Sequence, residues 1–354
     1  MYKLDRHIIA TITSSSLVVL FALLSIDLLG KLIVEVDHLG DKDYTFSLLT
    51  AYILGIIPLK LIEFFPMALL IGALMGLGKI AAANELTVMQ TSGVSRLRIG
   101  LIGFGLAIVL GGIVLTITEF IGVPLNAQVT EMRAQALGRI RQNYGSAGVW
   151  AQDGNSFVNI KGVKASGDLV SVHIYHVDDD MRFLNILDAQ TATFELGSLQ
   201  LHNVDKKTFS DEQVDLKHYD QLIWKNNLNS DVLNLLLSDP EDLSIRELHR
   251  YINYQKANGI RPTSYSLTFW QRIFVPLSTG VMFLLALPFV FGSQRNSSQG
   301  KKLFIGILLG LLYFISYTSI ANIILLTGAP VILGAIIPIV MFTLVSFGLL
   351  WLRG

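Results

Sequence analysis

The chain has few residue constellations that could carry out chemistry of their own. It contains neither the G-x-x-x-x-G-K-S/T loop that cradles nucleotide phosphates nor the H-E-x-x-H and G-x-S-x-G motifs of metallopeptidases and serine hydrolases. It has no cysteine, which excludes disulfides, thiolate ligands and cysteine nucleophiles. His173 and His176 are three residues apart in a strand-like segment, so they should lie on opposite faces and not share a metal ion. We therefore expect no catalytic residue, no metal site and no bound cofactor.

A polar segment at 79–98, between two apolar runs, is the most informative part of the sequence. Asn84 can cap a short helix, because its side chain can accept a hydrogen bond from a free backbone N–H of the first turn. Gly93 can end that helix, because glycine adopts the left-handed conformation at little cost. The pattern predicts a helix at about 84–93 that lies across the cytoplasmic end of a membrane protein.

The predicted helix has a face that a soluble partner protein could bind. Leu86 and Met89 share one face at a spacing of three residues, and Glu85, Met89 and Ser92 form an adjacent stripe. Since no other segment of the chain carries a motif that could supply energy, this surface indicates a partner protein that supplies it.

Composition places the chain among integral membrane proteins. It is 52% hydrophobic and 15% charged, with a mean hydropathy of +0.54. The net charge is zero, so no overall basic field indicates nucleic acid. Spanning a bilayer takes about 20 apolar residues in a helix. Six segments satisfy this, in two groups of three: 8–30, 62–82, 99–121, 270–292, 303–326 and 330–352.

The distribution of cations predicts the orientation of these spans. Lysine and arginine accumulate in cytoplasmic segments. Nine cations flank the span ends on one side, against only Asp5 and Glu85: Lys3, Arg6, Lys79, Arg96, Arg98, Arg295, Lys301, Lys302 and Arg353. We therefore expect both termini in the cytoplasm and the central segment outside it.

The central segment predicts an inserted β domain. Apolar and polar residues alternate at 170–177, 191–196 and 198–202, and polar turn residues separate these runs. This pattern is typical of an antiparallel sandwich or jelly roll. Ser244 and Glu247 then predict a capping box at the start of a helical return segment at about 244–257. The expected organisation is spans one to three at 1–123, the β domain at 124–268 and spans four to six at 269–354.

Two glycine pairs fit the small-xxx-small pattern of closely packed membrane helices: Gly72 with Gly76, and Gly306 with Gly310. One interpretation is packing within this chain, and the other is an interface with a second membrane subunit. The pattern alone leaves both open.

Charged residues in the apolar runs lie near span ends, as Asp27, Lys31, Lys60, Glu63 and Glu119 do. An ion-driven carrier would place ionisable groups near the midplane instead. One interpretation is that these side chains reach out to the membrane interface. The other is that cations near the outer leaflet attract an anionic lipid head group, with four candidates: Lys31, Lys42, Lys60 and Arg133.

Three segments resemble those of a known family: NELTVMQTSG at 84–93, FWQRIFVPLS at 269–278 and LALPFVFG at 285–292. Through these segments the chain resembles the LptF/LptG permeases of the lipopolysaccharide export ABC transporter. The resemblance covers essentially the whole chain. The segment GVWAQDGNSFV at 148–158 is more similar to the LptG side of the family.

The resemblance implies a mechanism. An LptF–LptG pair docks on a dimer of the ATPase LptB, which binds ATP and Mg, while LptC inserts a helix beside the permease. Lipopolysaccharide leaves the outer leaflet of the inner membrane and passes through periplasmic β-jellyrolls towards an LptA-type bridge. The chain itself would be a permease subunit and not an enzyme.

The resemblance also implies roles for residues of the coupling segment. Glu85 would face an arginine of the ATPase, and Leu86, Met89 and Gly93 would pack in the ATPase groove. The same surface would include Gln90, Ser92 and Arg96.

Lipid contacts follow the family pattern less closely. LptG proteins often carry lysines just after span one, whereas Val34, Gly40 and Asp41 stand at some of those positions here. Lys31 and Lys42 lie on either side and could substitute. Arg133 fits the family better, and the resemblance implies an acyl-chain wall for which the candidates are Phe64, Phe65 and Met67.

Two alternatives to this interpretation remain at this stage. One is a permease of another extraction-type ABC system, such as lipoprotein release, although those permeases typically have four spans. The other is a membrane-anchored sensor or assembly factor whose β domain binds a periplasmic partner and which needs no ATPase.

Overall fold

The structure is a computed structural model that describes residues 2–138, 148–164, 167–180, 182–195, 198–209, 213–225, 238–291 and 299–353. The chain divides into two compact units. The helical unit comprises Met1–Glu35, Ile53–Asn126 and Thr263–Gly354, and the sheet unit comprises Val36–Tyr52 and Ala127–Pro262.

The helices account for the predicted membrane spans. Five are long and apolar enough to cross a membrane, and a bent pair makes a sixth span if it is counted as one. The helices in chain order are α1 (Tyr2–Val36), α2 (Phe46–Gly55), α3 (Ile57–Ala82), α4 (Glu85–Thr91), α5 (Arg96–Ile117), α6 (Val123–Ala136), α7 (Ile245–Ala257), α8 (Thr263–Ile273), α9 (Val275–Phe291), α10 (Gln299–Thr327) and α11 (Ile332–Arg353). The polytopic helical class with an inserted β domain is thereby confirmed. The short apolar helix α2 was not predicted.

The fourth predicted span, at 270–292, is bent. Helices α8 and α9 meet at Phe274 with an angle of 57°. Pro276 explains the break, because its ring lacks an N–H and clashes with the carbonyl group four residues earlier, that of Arg272. The apolar length of the segment was visible in the sequence, but its change of direction was missed.

The third span is longer than predicted. A π-helical turn at Thr118–Gly122 joins α5 to α6, so one helical run extends from Arg96 to Ala136. The Thr118 hydroxyl donates a hydrogen bond to the Pro58 carbonyl oxygen at 3.2 Å. A Cβ atom at Gly122 would lie 2.9 Å from the Leu59 backbone nitrogen. The turn is therefore held directly against the start of α3.

Helix α9 forms the centre of the helical unit and packs on α3, α5 and α11. Its consecutive residues Val281, Met282 and Phe283 are all buried, which is typical of a helix that is apolar on every side. Gly103 lets α5 approach α9, since a Cβ atom there would overlap the Phe283 ring. Gly111 faces the Pro276 backbone of α9 in the same way.

The described part of the sheet unit contains six antiparallel strands in sequence order: β1 (Val149–Asp153), β2 (Ser156–Val163), β3 (Leu169–Val177), β4 (Phe183–Glu195), β5 (Ser198–Phe209) and β6 (Val214–Lys225). The predicted strands at 170–177 and 198–202 lie within β3 and β5, and the one at 191–196 overlaps the end of β4. A jelly roll would cross its connections between two sheets. The described strands instead form a single meander, in which each strand pairs with its neighbours in the chain.

Polar side chains on the sheet pair across strands. The Asp188 carboxylate contacts the His173 ring at 2.7 Å and the Lys207 ammonium at 2.8 Å. Although burial opposes it, hydrogen bonding from these two groups lowers the pKa of Asp188. His176 has a separate partner, the Ser156 hydroxyl, at 2.6 Å. The two histidines of the sequence pair therefore belong to different contacts.

The predicted helical return segment is confirmed as α7. The Ser244 hydroxyl accepts a hydrogen bond from the Glu247 backbone N–H, and the Glu247 carboxylate accepts one from the Ser244 backbone N–H. The Tyr254 hydroxyl donates to the Gln152 carbonyl oxygen at 3.0 Å, which ties α7 to β1. Burial raises the pKa of Tyr254 to about 12, so this donor keeps its proton at neutral pH.

The close approach of α5 and α9 predicts a large difference between two nearby glycines. Gly103→Leu should destabilise the protein by about 1–3 kcal/mol, because the new side chain overpacks against Phe283. Gly105→Leu is the matched control, since a Cβ atom there meets nothing within 4 Å. Thermal denaturation in detergent measures both. Equal melting temperatures for the two variants would contradict this packing.

His176 predicts a pH dependence of the sheet unit. Burial, and then the charge of Lys206, lowers the pKa of His176 below its ordinary value of 6.5. The unfolded chain therefore binds this proton more readily than the folded chain, so stability should fall as the pH drops below about 6.5. Denaturation midpoints at pH 7.5 and 5.5, followed by tryptophan emission, measure the effect.

The His176→Gln variant should lose part of this pH dependence. His249→Gln, at an exposed position on α7, serves as the control. If the two variants show the same pH dependence as the unmodified chain, His176 does not contribute to it.

Candidate functional site

Helix α4 forms the predicted coupling segment between α3 and α5. Gly93 has a φ of +92°, which confirms that it ends the helix in the left-handed conformation. The prediction of a side-chain cap at Asn84 is wrong. Asn84 itself is left-handed, with φ +60° and ψ 4°, and its side chain makes no capping hydrogen bond. The tight turn from Ala82 to Glu85 requires this conformation, which asparagine tolerates better than most residues.

Leu86 and Met89 face the interior of the helical unit. Leu86 is only 2% exposed and Met89 6%, and both join the same hydrophobic core as α3 and α9. The amphipathic pattern was interpreted as a surface for a partner, but it marks the side by which α4 packs on its own chain. The structure therefore gives these two side chains an internal role, which replaces their expected place in a groove of the ATPase.

A neighbouring face of α4, about 100° around the helix axis from Leu86 and Met89, is the surface considered for a partner. Glu85, Val88 and Ser92 are exposed and follow one another at a spacing of three and four residues, so they form one stripe. Val88 is 62% exposed. Gln90 is partly exposed beside the stripe. Sequence analysis missed Val88, although its spacing from Glu85 is a signal that could have identified it.

The first turns of α1 contact both sides of the coupling segment. The Glu85 carboxylate lies 3.1 Å from the His7 ring, and Arg98 pairs with Asp5 at 3.0 Å. Pairs this exposed contribute little to stability. The first joins α1 to α4, and the second joins α1 to the start of α5. Arg96, at the start of α5, lies over the Phe291 ring at 6.0 Å.

The four glycines of the small-xxx-small pairs contact helices of this same chain. Gly72 and Gly76 of α3 lie against α1, at Ser16 and the Thr11 carbonyl group. Gly306 and Gly310 of α10 lie against α3, at Leu74 and Met67. Of the two interpretations, packing within the chain is the one that these contacts display.

Three of the four candidate lipid-contact cations, Lys31, Lys42 and Arg133, are divided between the two units. In the helical unit, Lys31 lies 4.0 Å from the Asp27 carboxylate. In the sheet unit, Lys42 donates to the Gly138 carbonyl oxygen at 3.2 Å, and Arg133 lies 5.2 Å from the centre of the Tyr52 ring. Each cation therefore has a contact within its own unit.

The candidate acyl-chain wall is only partly accessible. Phe64 and Met67 are half-buried on α3, whereas Phe65 is buried in the core. The assignment of Phe65 to a lipid-facing wall is corrected accordingly, because successive residues of a helix point about 100° apart. Lys60 pairs with Glu63 at the start of the same helix.

The structure contains a largely buried ion pair that the sequence did not predict. Arg272, at the end of α8, contacts Glu119 of the π-helical turn at 2.7 Å. Their side chains are 6% and 14% exposed. The pair joins the irregular turn of the third span to the bend of the fourth. The available signal was the presence of opposite charges in two otherwise apolar runs.

The chain matches known proteins along nearly its whole length. Residues 6–352 match the family model described as "Lipopolysaccharide export system permease LptF/LptG". The chain is 35% identical over 356 residues to the lipopolysaccharide export system permease protein LptG of Escherichia coli (strain K12), covering 98% of this chain and 97% of that protein. The LptG of Haemophilus influenzae is 31% identical over 350 residues, covering 98% of each chain.

The Glu119–Arg272 pair predicts a large loss of stability when one partner is removed. Arg272→Met should cost about 3–5 kcal/mol, because it leaves a carboxylate buried without a cation. The double variant Glu119→Gln/Arg272→Met should recover at least half of that loss. Denaturation in detergent measures all three proteins. Lys217→Met, in the exposed pair Lys217–Asp215, is the control and should have a much smaller effect. A double variant no more stable than Arg272→Met would contradict the pairing.

Proposed function

Because the chain belongs to the LptF/LptG family of lipopolysaccharide export system permeases, we propose that it is the LptG-type subunit of a lipopolysaccharide exporter. The observation that carries this proposal is the match along almost the entire length, to the family model and to two LptG proteins. The proposed activity is extraction of lipopolysaccharide from the outer leaflet of the inner membrane. This chain provides the path, and a partner ATPase supplies the energy from ATP and Mg.

The chain is a multi-pass membrane protein, and the proposed topology follows the charge distribution. Both termini and α4 lie in the cytoplasm, because the cations concentrate at those span ends. The sheet unit then lies in the periplasm, where it receives lipid from the membrane and passes it towards an LptA-type bridge.

Coupling is proposed to act through the exposed stripe of α4. Glu85 pairs with an arginine of an LptB-type ATPase dimer, and Val88 supplies the adjacent apolar contact. Arg96, Ser92 and Gln90 complete the edge of this surface. Since Leu86 and Met89 are part of the helical core, a displacement of α4 moves α3 and α5 with it.

Lipid binding is proposed to combine charge and apolar area. In the helical unit, Lys31 attracts the anionic groups of lipopolysaccharide, and Phe64 and Met67 contact its acyl chains. In the sheet unit, Lys42 and Arg133 attract anionic groups of the same lipid. An LptF-type permease is the second permease subunit, and an LptC-type protein contributes one further span.

The proposed function is tested by purifying the tagged chain from its native envelope in mild detergent and identifying what it retains by mass spectrometry. We expect an ATPase, a second six-span permease and lipopolysaccharide. An ATPase recovered with lipoproteins instead would indicate a lipoprotein-release system. If crosslinking also recovers no ATPase, the exporter assignment fails and a sensor function is favoured.

The coupling assignment is tested separately. Glu85→Arg and Val88→Glu should each reduce the retained ATPase at least tenfold, because they place a repulsive or desolvated charge in the contact. The second permease should still be retained. Asp220→Arg, a charge reversal at a fully exposed position of the sheet unit, should behave as the unmodified chain. Normal ATPase retention and transport by Glu85→Arg would overturn the role of Glu85 without affecting the exporter assignment.

A further inference from the structure

A cleft of about 550 Å³ lies in the helical unit between α5, α9 and α11. Its walls are formed by apolar side chains of all three helices, among them Phe104, Leu284 and Phe347. A cleft of this volume is large enough for a small ligand or one segment of a lipid. Apart from Arg96, it contains none of the residues assigned to coupling or to lipopolysaccharide.

Among the residues that the structure describes, the walls of the cleft offer no free polar group at depth. The polar side chain of the wall, Thr343, donates its hydroxyl hydrogen to the Ile339 carbonyl oxygen at 2.7 Å. Gly100 adds no side chain, and a Cβ atom there would lie 3.3 Å from a methyl group of Leu287. The interior is therefore suited to hydrocarbon and poorly suited to a polar ligand.

One end of the cleft carries a positive charge. Arg96 lies at this end, on the surface, with its guanidinium group over the Phe291 ring. The neighbouring Arg98 is neutralised by Asp5. Among the residues that the structure describes, no ion pair is recorded for Arg96. The cleft therefore combines an apolar interior with a cation at its mouth.

The length of the cleft corresponds to one leaflet of a membrane. On α5 it extends from Arg96 to Phe104, which is about 12 Å along the helix axis. On α11 it extends from Ile339 to Leu350, about 17 Å, and on α9 from Leu277 to Phe291, about 21 Å. Half of a hydrocarbon core is about 15 Å thick. A molecule that fills the cleft thus has its charged end at the interface and its apolar end near the midplane.

We propose that this cleft binds one anionic glycerophospholipid, with its phosphate at Arg96 and an acyl chain along α5, α9 and α11. The charge and the length together favour a membrane phospholipid over a partner helix, which would not need a cation at one end. Placing this lipid in the cytoplasmic leaflet rests on the proposed topology, whereas the binding itself does not.

The test is native mass spectrometry of the full chain, with whatever subunits co-purify, after titration with phosphatidylglycerol or phosphatidylcholine. We expect one tightly retained phosphatidylglycerol and at least fivefold weaker retention of phosphatidylcholine. Arg96→Gln should bring the two lipids within a factor of two, since it removes the charge and keeps a polar hydrogen-bonding side chain.

A second pair of variants tests the cleft itself. Thr343→Trp should fill the cleft and abolish the retained lipid. Leu344→Trp is the matched control, because its side chain is 67% exposed on another face of α11, and it should retain the lipid. Thermal denaturation shows whether both variants are folded. If Thr343→Trp does not fold, Arg96→Gln still decides the question.

Four results would overturn the proposal. These are equal retention of both lipids by the unmodified chain, an unchanged preference for phosphatidylglycerol in Arg96→Gln, unchanged lipid retention in folded Thr343→Trp, or crosslinking of a partner helix from within the cleft. None of these depends on ATPase binding or lipopolysaccharide transport. Failure of the lipid site is therefore distinguishable from failure of the proposed function.

Discussion

Burial of the middle of α9 is the constraint on which the helical unit depends. Because Val281, Met282 and Phe283 are consecutive and all buried, other helices must cover most of the circumference of α9 at this level. Gly103 and Gly111 allow α5 to approach closely, and α3 and α11 cover other sides. In a bilayer, lipid tails compete equally well for apolar side chains, so close packing rather than hydrophobicity selects these neighbours. The positions of the remaining helices follow from this arrangement.

The coupling segment is attached to the same core. Leu86 and Met89 bury one face of α4, while His7 contacts Glu85 on the exposed side. A seven-residue helix has little stability of its own, so tertiary contacts must hold it. The consequence is that α4 is a fixed projection of the helical unit and not a loose loop. A force applied to its exposed stripe therefore acts on the spans directly.

Local signals in the sequence predicted much of this structure. Apolar length identified the spans, Gly93 marked the end of α4, and Ser244 with Glu247 marked the start of α7.

The failures concern information that is not local. Periodicity showed that Leu86 and Met89 share a face, but not whether this chain or a partner protein covers that face. The left-handed conformation of Asn84 depends on the tight connection to α3. Glu119 and Arg272 are 153 residues apart. Their pairing depends on how α5 and α8 approach, which composition does not encode. Assignments at the lipid-contact residues remain predictions.

The close contact of Gly72 with Ser16 has a consequence for how this sequence can change over time. A Cβ atom at Gly72 would overlap both the backbone and the side chain of Ser16, so rotating the Ser16 side chain away cannot relieve a substitution at Gly72. A larger residue can be accepted only if α1 shifts as a whole. Gly76 imposes the same condition at Thr11, where the neighbouring atom is a backbone carbonyl oxygen. Substitution of Gly72 or Gly76 is thus restricted to lineages in which α1 and α3 change together. The residues of the two helices that face each other should therefore covary.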